Sequence, residues 1–307
     1  MATGELRLIT EFEAEVVSSN PMHAKFIRAS LESLRSADAE DLNEYLSFCL
    51  ACDMTLERVA DCYNTIVTDT QTEQMHFMRN KKYRYSTFDE VAGHVYFDAD
   101  YMQKYMCGLA VTSFLWPNHN AMHQFFLDSF PSDVGGIYLE VGPGHGYYFM
   151  KAALLGQFDR LVGIDISPES VRMTGEILDY YGIKKKYNDR VQLIEADFLN
   201  HDMSDENFSV IVMGEVLEHV EKPEEFLSRL RDLCGAKTRL YLTTCANAPA
   251  VYHIYLFESV NHVESMIQAA GLKIDESLHV PYTGKTLEEC MDQRLAVNVA
   301  YFLSRAQ

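Results

Sequence analysis

The ten residues Ile137-Tyr-Leu-Glu-Val-Gly-Pro-Gly-His-Gly146 constrain the fold of this chain more than any other stretch. An apolar run ends in an acid, turns through three alternate glycines and leads into a helix-forming segment beginning near Tyr147. Glycine at 142, 144 and 146 lets the backbone turn sharply and approach a ligand with no Cβ in the way. A GxGxG spacing alone carries little weight. Between a strand and a helix, it predicts a ligand at the carboxyl edge of a parallel sheet.

The rest of the second half agrees. From Gly136 onward short β-branched runs alternate with helical stretches, the pattern of a parallel sheet with crossover helices. Strands are expected at 137–141, 160–164, 191–194, 209–213, 239–243, 273–280 and 295–303. Seven strands with helices on both faces make an α/β doubly wound, Rossmann-like sheet.

Polar groups gather where the expected strands end. Asp165, followed by Ile166, closes the second strand about twenty residues after the glycine loop, where an acid accepts hydrogen bonds from ribose hydroxyls. Ser167 is placed to cap the next helix. The third strand leads into Asp197, which can accept from an adenine amino group, and Phe198, which can pack on the ring. The fourth ends in Gly214-Glu-Val-Leu-Glu-His219.

These four segments, in this order and spacing, resemble motifs I to IV of the class I S-adenosylmethionine-dependent methyltransferases. The resemblance is good over 135–245 and looser to the C-terminus. It implies the class I methyltransferase fold and S-adenosylmethionine as cofactor, with Glu140, Gly142, Gly144 and Gly146 at its methionine portion. It further implies Asp165 with Ile166 at the ribose, Asp197 and Phe198 at the adenine, and Glu215 near the sulfonium end. A nicotinamide enzyme shares the glycine loop and the ribose acid, but usually has its loop early in the domain and spaced GxGxxG. A binding module without catalysis is a third reading, although nothing is visibly deleted from the cofactor segments.

The first 130 residues read as mostly helix, with apolar positions at helical spacing and Asp38 and Thr55 as N-caps. Between Tyr83 and Phe126 they are crowded with aromatics. This predicts a helical cap over 1–130 and a catalytic domain over 131–307, joined at the turn SFPSDVGG. The cap is expected to close over the sulfonium end, and two copies of the chain to meet through it.

Composition narrows the partners. A net charge of −19 repels phosphate backbones and anionic lipids, so nucleic acid and membrane are poor partners and a small molecule is the expected substrate. No apolar run reaches the ~20 residues of a membrane helix, and the acidic start MATGELRLITEFEAE lacks the features of a secretory signal. A cytoplasmic location is therefore expected. Seven cysteines, an odd number in apolar settings, read as reduced thiols. The Cys49/Cys52 spacing has no second pair to complete a zinc site, and His119 with His123 has no third ligand, so no metal is expected.

Methyl transfer from a sulfonium needs orientation above all, so the acceptor side is less sharply marked. The segment after the fifth strand offers Asn247, Tyr252, His253 and Tyr255, and the cap offers Asn118 and His119. Tyr252, Asn118 and His219 are the catalytic candidates, with His219 as general base and His145 near the reacting centre by topology. Glu218 is expected to point into solvent from a helix. The chain is also similar to the branch of methyltransferase-like enzymes that cyclise S-adenosylmethionine to azetidine-2-carboxylate. Two reactions are thus carried: methyl transfer to a small metabolite, and cyclisation of the cofactor itself with release of 5′-methylthioadenosine. Tyrosine faces that stabilise a cation would serve either.

Overall fold

The computed structural model describes residues 6–93, 95–131 and 134–306. The first five residues, and Ser132 and Asp133 of the expected linker turn, lie outside the described residues.

Four helices open the chain: α1 (Arg7–Ser19), α2 (Ala24–Ser33), α3 (Ser36–Ala51) and α4 (Leu56–Asn80). Thr55 caps α4 as expected, its hydroxyl accepting from the Arg58 N–H at 3.1 Å. Asp38 is not a cap. It sits buried in the first turn of α3, where the positive end of the helix dipole favours a carboxylate and where Arg35 and Gln124 donate to it. The short α5 (Phe88–Ala92) follows, then α6 (Ala99–Leu115) and α7 (Pro117–Ser129).

The second half alternates as expected. It runs β1 (Ile137–Val141), α8 (Tyr147–Leu155), β2 (Arg160–Asp165), α9 (Pro168–Tyr180), α10 (Ile183–Tyr187), β3 (Val191–Glu195), β4 (Phe208–Gly214) and α11 (Pro223–Leu233). Then come β5 (Cys234–Ala246), α12 (Val260–Ala269), β6 (Leu272–Pro281), α13 (Leu287–Gln293) and β7 (Val297–Arg305). The seven strands lie in the order β3-β2-β1-β4-β5-β7-β6. The first five are parallel, but β7 inserts antiparallel between β5 and β6, so the sheet is mixed rather than wholly parallel. Local pattern could not show this, because a strand's hydrophobic period is the same in either direction.

One apolar cluster joins Phe12, Tyr45, Tyr63, Phe114 and Phe126 of the helical region to Tyr138, Tyr147, Tyr241 and Phe302 on the sheet side. A second fills the other face beneath α11 and α12, around Leu139, Ile211, Leu227 and Ile267. A third, with Val91, Met102, Tyr105, Met106, Met173 and Tyr252, ties the helical region to the carboxyl edge of the sheet. That third cluster builds the wall of the site. No helix among the described residues is long and apolar enough to cross a membrane.

Candidate active site

The glycine loop is built as its sequence demands. Gly142, Gly144 and Gly146 have φ of 69°, 55° and 76°, in the left-handed region that L side chains avoid. A Cβ on Gly142 would stand 2.7 Å from Val216 Cγ2, and one on Gly146 only 2.8 Å from the Thr174 Cα. The Gly146 N–H closes the turn onto the Pro143 carbonyl at 2.8 Å, and α8 starts at the next residue.

At the neighbouring strand end, the Asp165 carboxylate accepts from the Gly144 N–H at 3.2 Å and the Ser167 N–H at 2.9 Å. Ser167 in turn caps α9, accepting from the Ser170 N–H at 3.3 Å. Burial pushes the Asp165 pKa up to about 6 against the pull of those N–H groups. Glu140 is also buried, which pushes its carboxyl up to about 8 even though the Tyr138 hydroxyl donates to it.

Above this edge lies a cavity of about 1320 Å³. It is lined by Glu140, Gly142, Gly144, Asp165, Ile166, Asp197, Phe198 and Glu215, and equally by Asn118, His219 and Tyr252. Of the predicted site residues only Gly146 stays off the wall, serving the turn instead. The helical region contributes Tyr96, Met102, Tyr105, Met106, Trp116 and His119 to the same cavity. Asp197 holds its own turn, accepting from the Leu199 N–H at 2.9 Å, while Phe198 is buried beside it.

On the acceptor side, Tyr252 packs edge-on to Tyr105 at 4.5 Å and Tyr96 at 6.0 Å, and lies 4.5 Å from the His219 ring. Asn118 donates to Asn298 Oδ1 at 2.8 Å, joining α7 to β7. Burial pushes His119 and His145 down to about 4, and His219 to about 3, so all three rings are neutral near pH 7. His253 lines the cavity, whereas Asn247 turns away to the Glu258 carbonyl and Tyr255 to His262.

Glu218 reverses the sequence expectation. It lies in a 3-10 turn, not on an exposed helix, and is completely buried. Its carboxylate accepts from the Thr244 hydroxyl at 2.6 Å, and its carbonyl from the N–H groups of Ile254 and Tyr255 at 2.9 and 3.0 Å. The chain after β5 folds back over Glu218 and shuts out water. Burial first, and the neighbouring Glu215 second, raise its pKa well above the usual carboxylate range. Two acids three apart directly after a sheet strand were the available signal for this buried pair.

The family of methyltransferase domains matches residues 117–295, more than half of the chain. EEF1A lysine methyltransferase 2 of Homo sapiens is 24% identical over 115 residues, which cover 35% of this chain and 46% of that protein. The chain thus spans about half the length of the curated relative it matches. Among solved structures, a chain of the complex between the Haloferax volcanii Trm112 methyltransferase activator and a methyltransferase aligns with a TM-score of 0.50 at 14% identity. That alignment covers 68% of this chain and 98% of the other. The [4+2]-cyclase SpnF aligns with the same TM-score and identity over 78% of this chain and 96% of its own. At such identities these likenesses show the fold alone. The family match does more: taken with the glycine loop and the acids along the sheet's carboxyl edge, it means that this chain belongs to the methyltransferase domain family, as a class I enzyme dependent on S-adenosylmethionine.

Proposed function

We propose that this enzyme transfers the methyl group of S-adenosylmethionine to a small metabolite held in the same cavity, beneath a lid formed by residues up to about 130. The observation that carries this reading is the size of the cavity. At about 1320 Å³ it exceeds the roughly 300 to 1,000 Å³ of ordinary small-ligand sites, leaving space for a second molecule beside the cofactor.

The residues present fit the cofactor. A Cβ would fill the cradle at Gly142, and a carboxylate offers about four acceptor sites, of which backbone N–H groups engage Asp165 at two oxygens. Asp165 would hold the ribose, Asp197 and Phe198 the adenine, and Glu140 with the glycine loop the methionine portion. The cofactor supplies an electrophilic methyl group on a sulfonium. What this chain adds is orientation and exclusion of water, from Tyr252, Asn118 and the aromatic wall, together with an unprotonated ring nitrogen on His219.

A second reading is cyclisation, in which the cofactor's α-amine attacks its own γ-carbon and expels 5′-methylthioadenosine. The clustering of Tyr96, Tyr105 and Tyr252 favours it, since three aromatic faces could enclose a sulfonium without any acceptor. One incubation decides. With S-adenosylmethionine alone, methyl transfer gives no enzyme-dependent nucleoside, whereas cyclisation releases 5′-methylthioadenosine. Addition of metabolite fractions should then yield S-adenosylhomocysteine. If only a protein fraction, such as one rich in lysine side chains, supports that product, the small-molecule reading is overturned.

A further inference from the structure

The wall of the cavity at the end of β4 gathers more ligating atoms than methyl transfer requires. Ligand atoms of Glu218, His219 and His253 all lie within 4.8 Å of one another, and so do those of Glu215, Glu218 and Cys245. Glu218 is common to both groups. Two main-chain hydrogen bonds to its carbonyl, from Ile254 and Tyr255, bring His253 beside it from far along the sequence. Glu215 reaches the same place through a left-handed backbone, with φ of 53°, pinned by its N–H to the Thr243 hydroxyl at 3.0 Å.

We propose that Glu218, His219 and His253 bind one divalent transition cation, with Glu215 beside Glu218 at its edge. Both imidazoles are oriented for it. His219 Nδ1 faces the Tyr252 carbonyl at 3.2 Å, and His253 Nδ1 the Ala248 carbonyl at 2.6 Å. A carbonyl only accepts, so each Nδ1 carries the proton and each Nε2 keeps its lone pair. Ligating histidines are commonly fixed in this way, with the far N–H held by a second group. His219 Nε2 stands 3.9 Å from Glu218 Oε1.

The carboxylates supply an independent observation. Oε1 of the fully buried Glu218 has no hydrogen-bond partner among the described residues, nor does Oε1 of Glu215. Burying two acids side by side is costly whether they share a proton or stay charged, and a cation on Glu218 Oε1 relieves the repulsion and gives that oxygen a partner. Bonds of about 2.0 to 2.2 Å place neighbouring ligands roughly 3 to 3.5 Å apart, so small side-chain shifts close the site. Two imidazoles with a carboxylate suit Mn²⁺, Fe²⁺, Co²⁺ or Zn²⁺ better than the all-oxygen preference of Mg²⁺ or Ca²⁺.

Glu215, His219 and His253 line the cavity, so positions left open on the cation face the second ligand. This rests on the methyl-transfer reading and narrows it: the acceptor bears an oxygen donor, such as a phenolic or vicinal hydroxyl, that the cation can hold. His219 is then a ligand and not the proton acceptor.

The test uses the full chain without a histidine tag, stripped with a chelator and titrated with Mn²⁺, free Mn²⁺ being read by electron paramagnetic resonance. One Mn²⁺ per chain is expected, with E218Q and H253Q each binding at least tenfold more weakly and E224Q, on the exposed face of α11, unchanged. S-adenosylhomocysteine affinity, measured on the same samples by calorimetry, reports folding and tests the cofactor assignment separately. If E218Q loses both ligands, H219Q and H253Q take its place. No stoichiometric binding by the wild type, or equal binding by folded ligand variants, overturns the site whatever the cofactor result.

Discussion

The Gly144 N–H donates to Oδ2 of Asp165 across 3.2 Å, so the glycine loop and the end of the second strand are held as one unit before any ligand arrives. Asp165→Ala removes this tether together with the ribose hydrogen bonds proposed for it. At ~1 to 2 kcal/mol for each of two lost bonds, S-adenosylhomocysteine should bind roughly 30- to 1,000-fold more weakly by calorimetry. Unchanged affinity would remove Asp165 from the site.

Gly146→Ala tests the turn rather than the cavity wall. The new Cβ meets Ile177 Cγ2 at 2.7 Å and the Thr174 backbone at 2.8 Å in a left-handed conformation, so the backbone of α9 must shift. A loss of at least ~1 to 2 kcal/mol, or several degrees in Tm for a chain of this size, is expected by thermal unfolding. Gly93→Ala, where nothing lies within 4 Å and φ is −70°, is the matched control and should be near neutral.

On the proposed reading Tyr252 faces the sulfonium, which distinguishes the charged cofactor from its demethylated product. An aromatic face beside a sulfonium contributes ~0.5 to 2 kcal/mol, so Tyr252→Leu should weaken S-adenosylmethionine about 2- to 30-fold more than it weakens S-adenosylhomocysteine. Tyr252→Phe, which keeps the face, should leave the ratio of the two dissociation constants where it is. Equal losses of both ligands in the leucine variant would show that Tyr252 only packs against Tyr105 and His219.

Acid should unfold the protein through its buried imidazoles. His119 and His145 have their pKa lowered to about 4, and His123 to about 3, from an ordinary value of 6.5. Groups depressed in the fold contribute stability that is present above pH 6.5 and is lost as pH falls toward 3. Glu140 and Asp165, raised to about 8 and 6, act oppositely: their contribution is present below pH 4 and fades as pH climbs toward 8. These three histidines dominate on the acid side, so Tm should drop steeply below about pH 6. His123 is buried among Phe114, Tyr147 and Tyr148 with neither ring nitrogen partnered among the described residues. His123→Leu should therefore flatten that fall, and a Tm curve unchanged in slope would count against the assignment.

What the sequence made legible was whatever short-range periodicity and turn chemistry dictate. All seven strands, the three glycines, Asp165 and the Thr55 cap fall where local pattern places them. What it hid depends on distant chain. Glu218 reads as a solvated helix residue until the segment from Ala248 to Tyr255 folds over it, and Asn118 meets Asn298 only because β7 crosses to the sheet's interior. Tyr252 and His253 were visible as polar candidates in that segment, but Asn247 and Tyr255, equally polar, point elsewhere. Composition could not separate them, because orientation at that edge is set by which carbonyls Glu218 and Phe257 present.

The placement of β7 between β5 and β6 has a further consequence for biogenesis. Of the seven strands described, the one latest in the sequence is an interior one, so while 297–305 remain in the ribosomal exit tunnel, β6 has no neighbour and β5 presents a bare, apolar edge. The nascent chain passes through a stage at which such an edge invites pairing with other chains. A stop codon before Val297 should accordingly yield insoluble protein rather than a trimmed enzyme, and holdase chaperones should bind that truncated chain in preference to the full one.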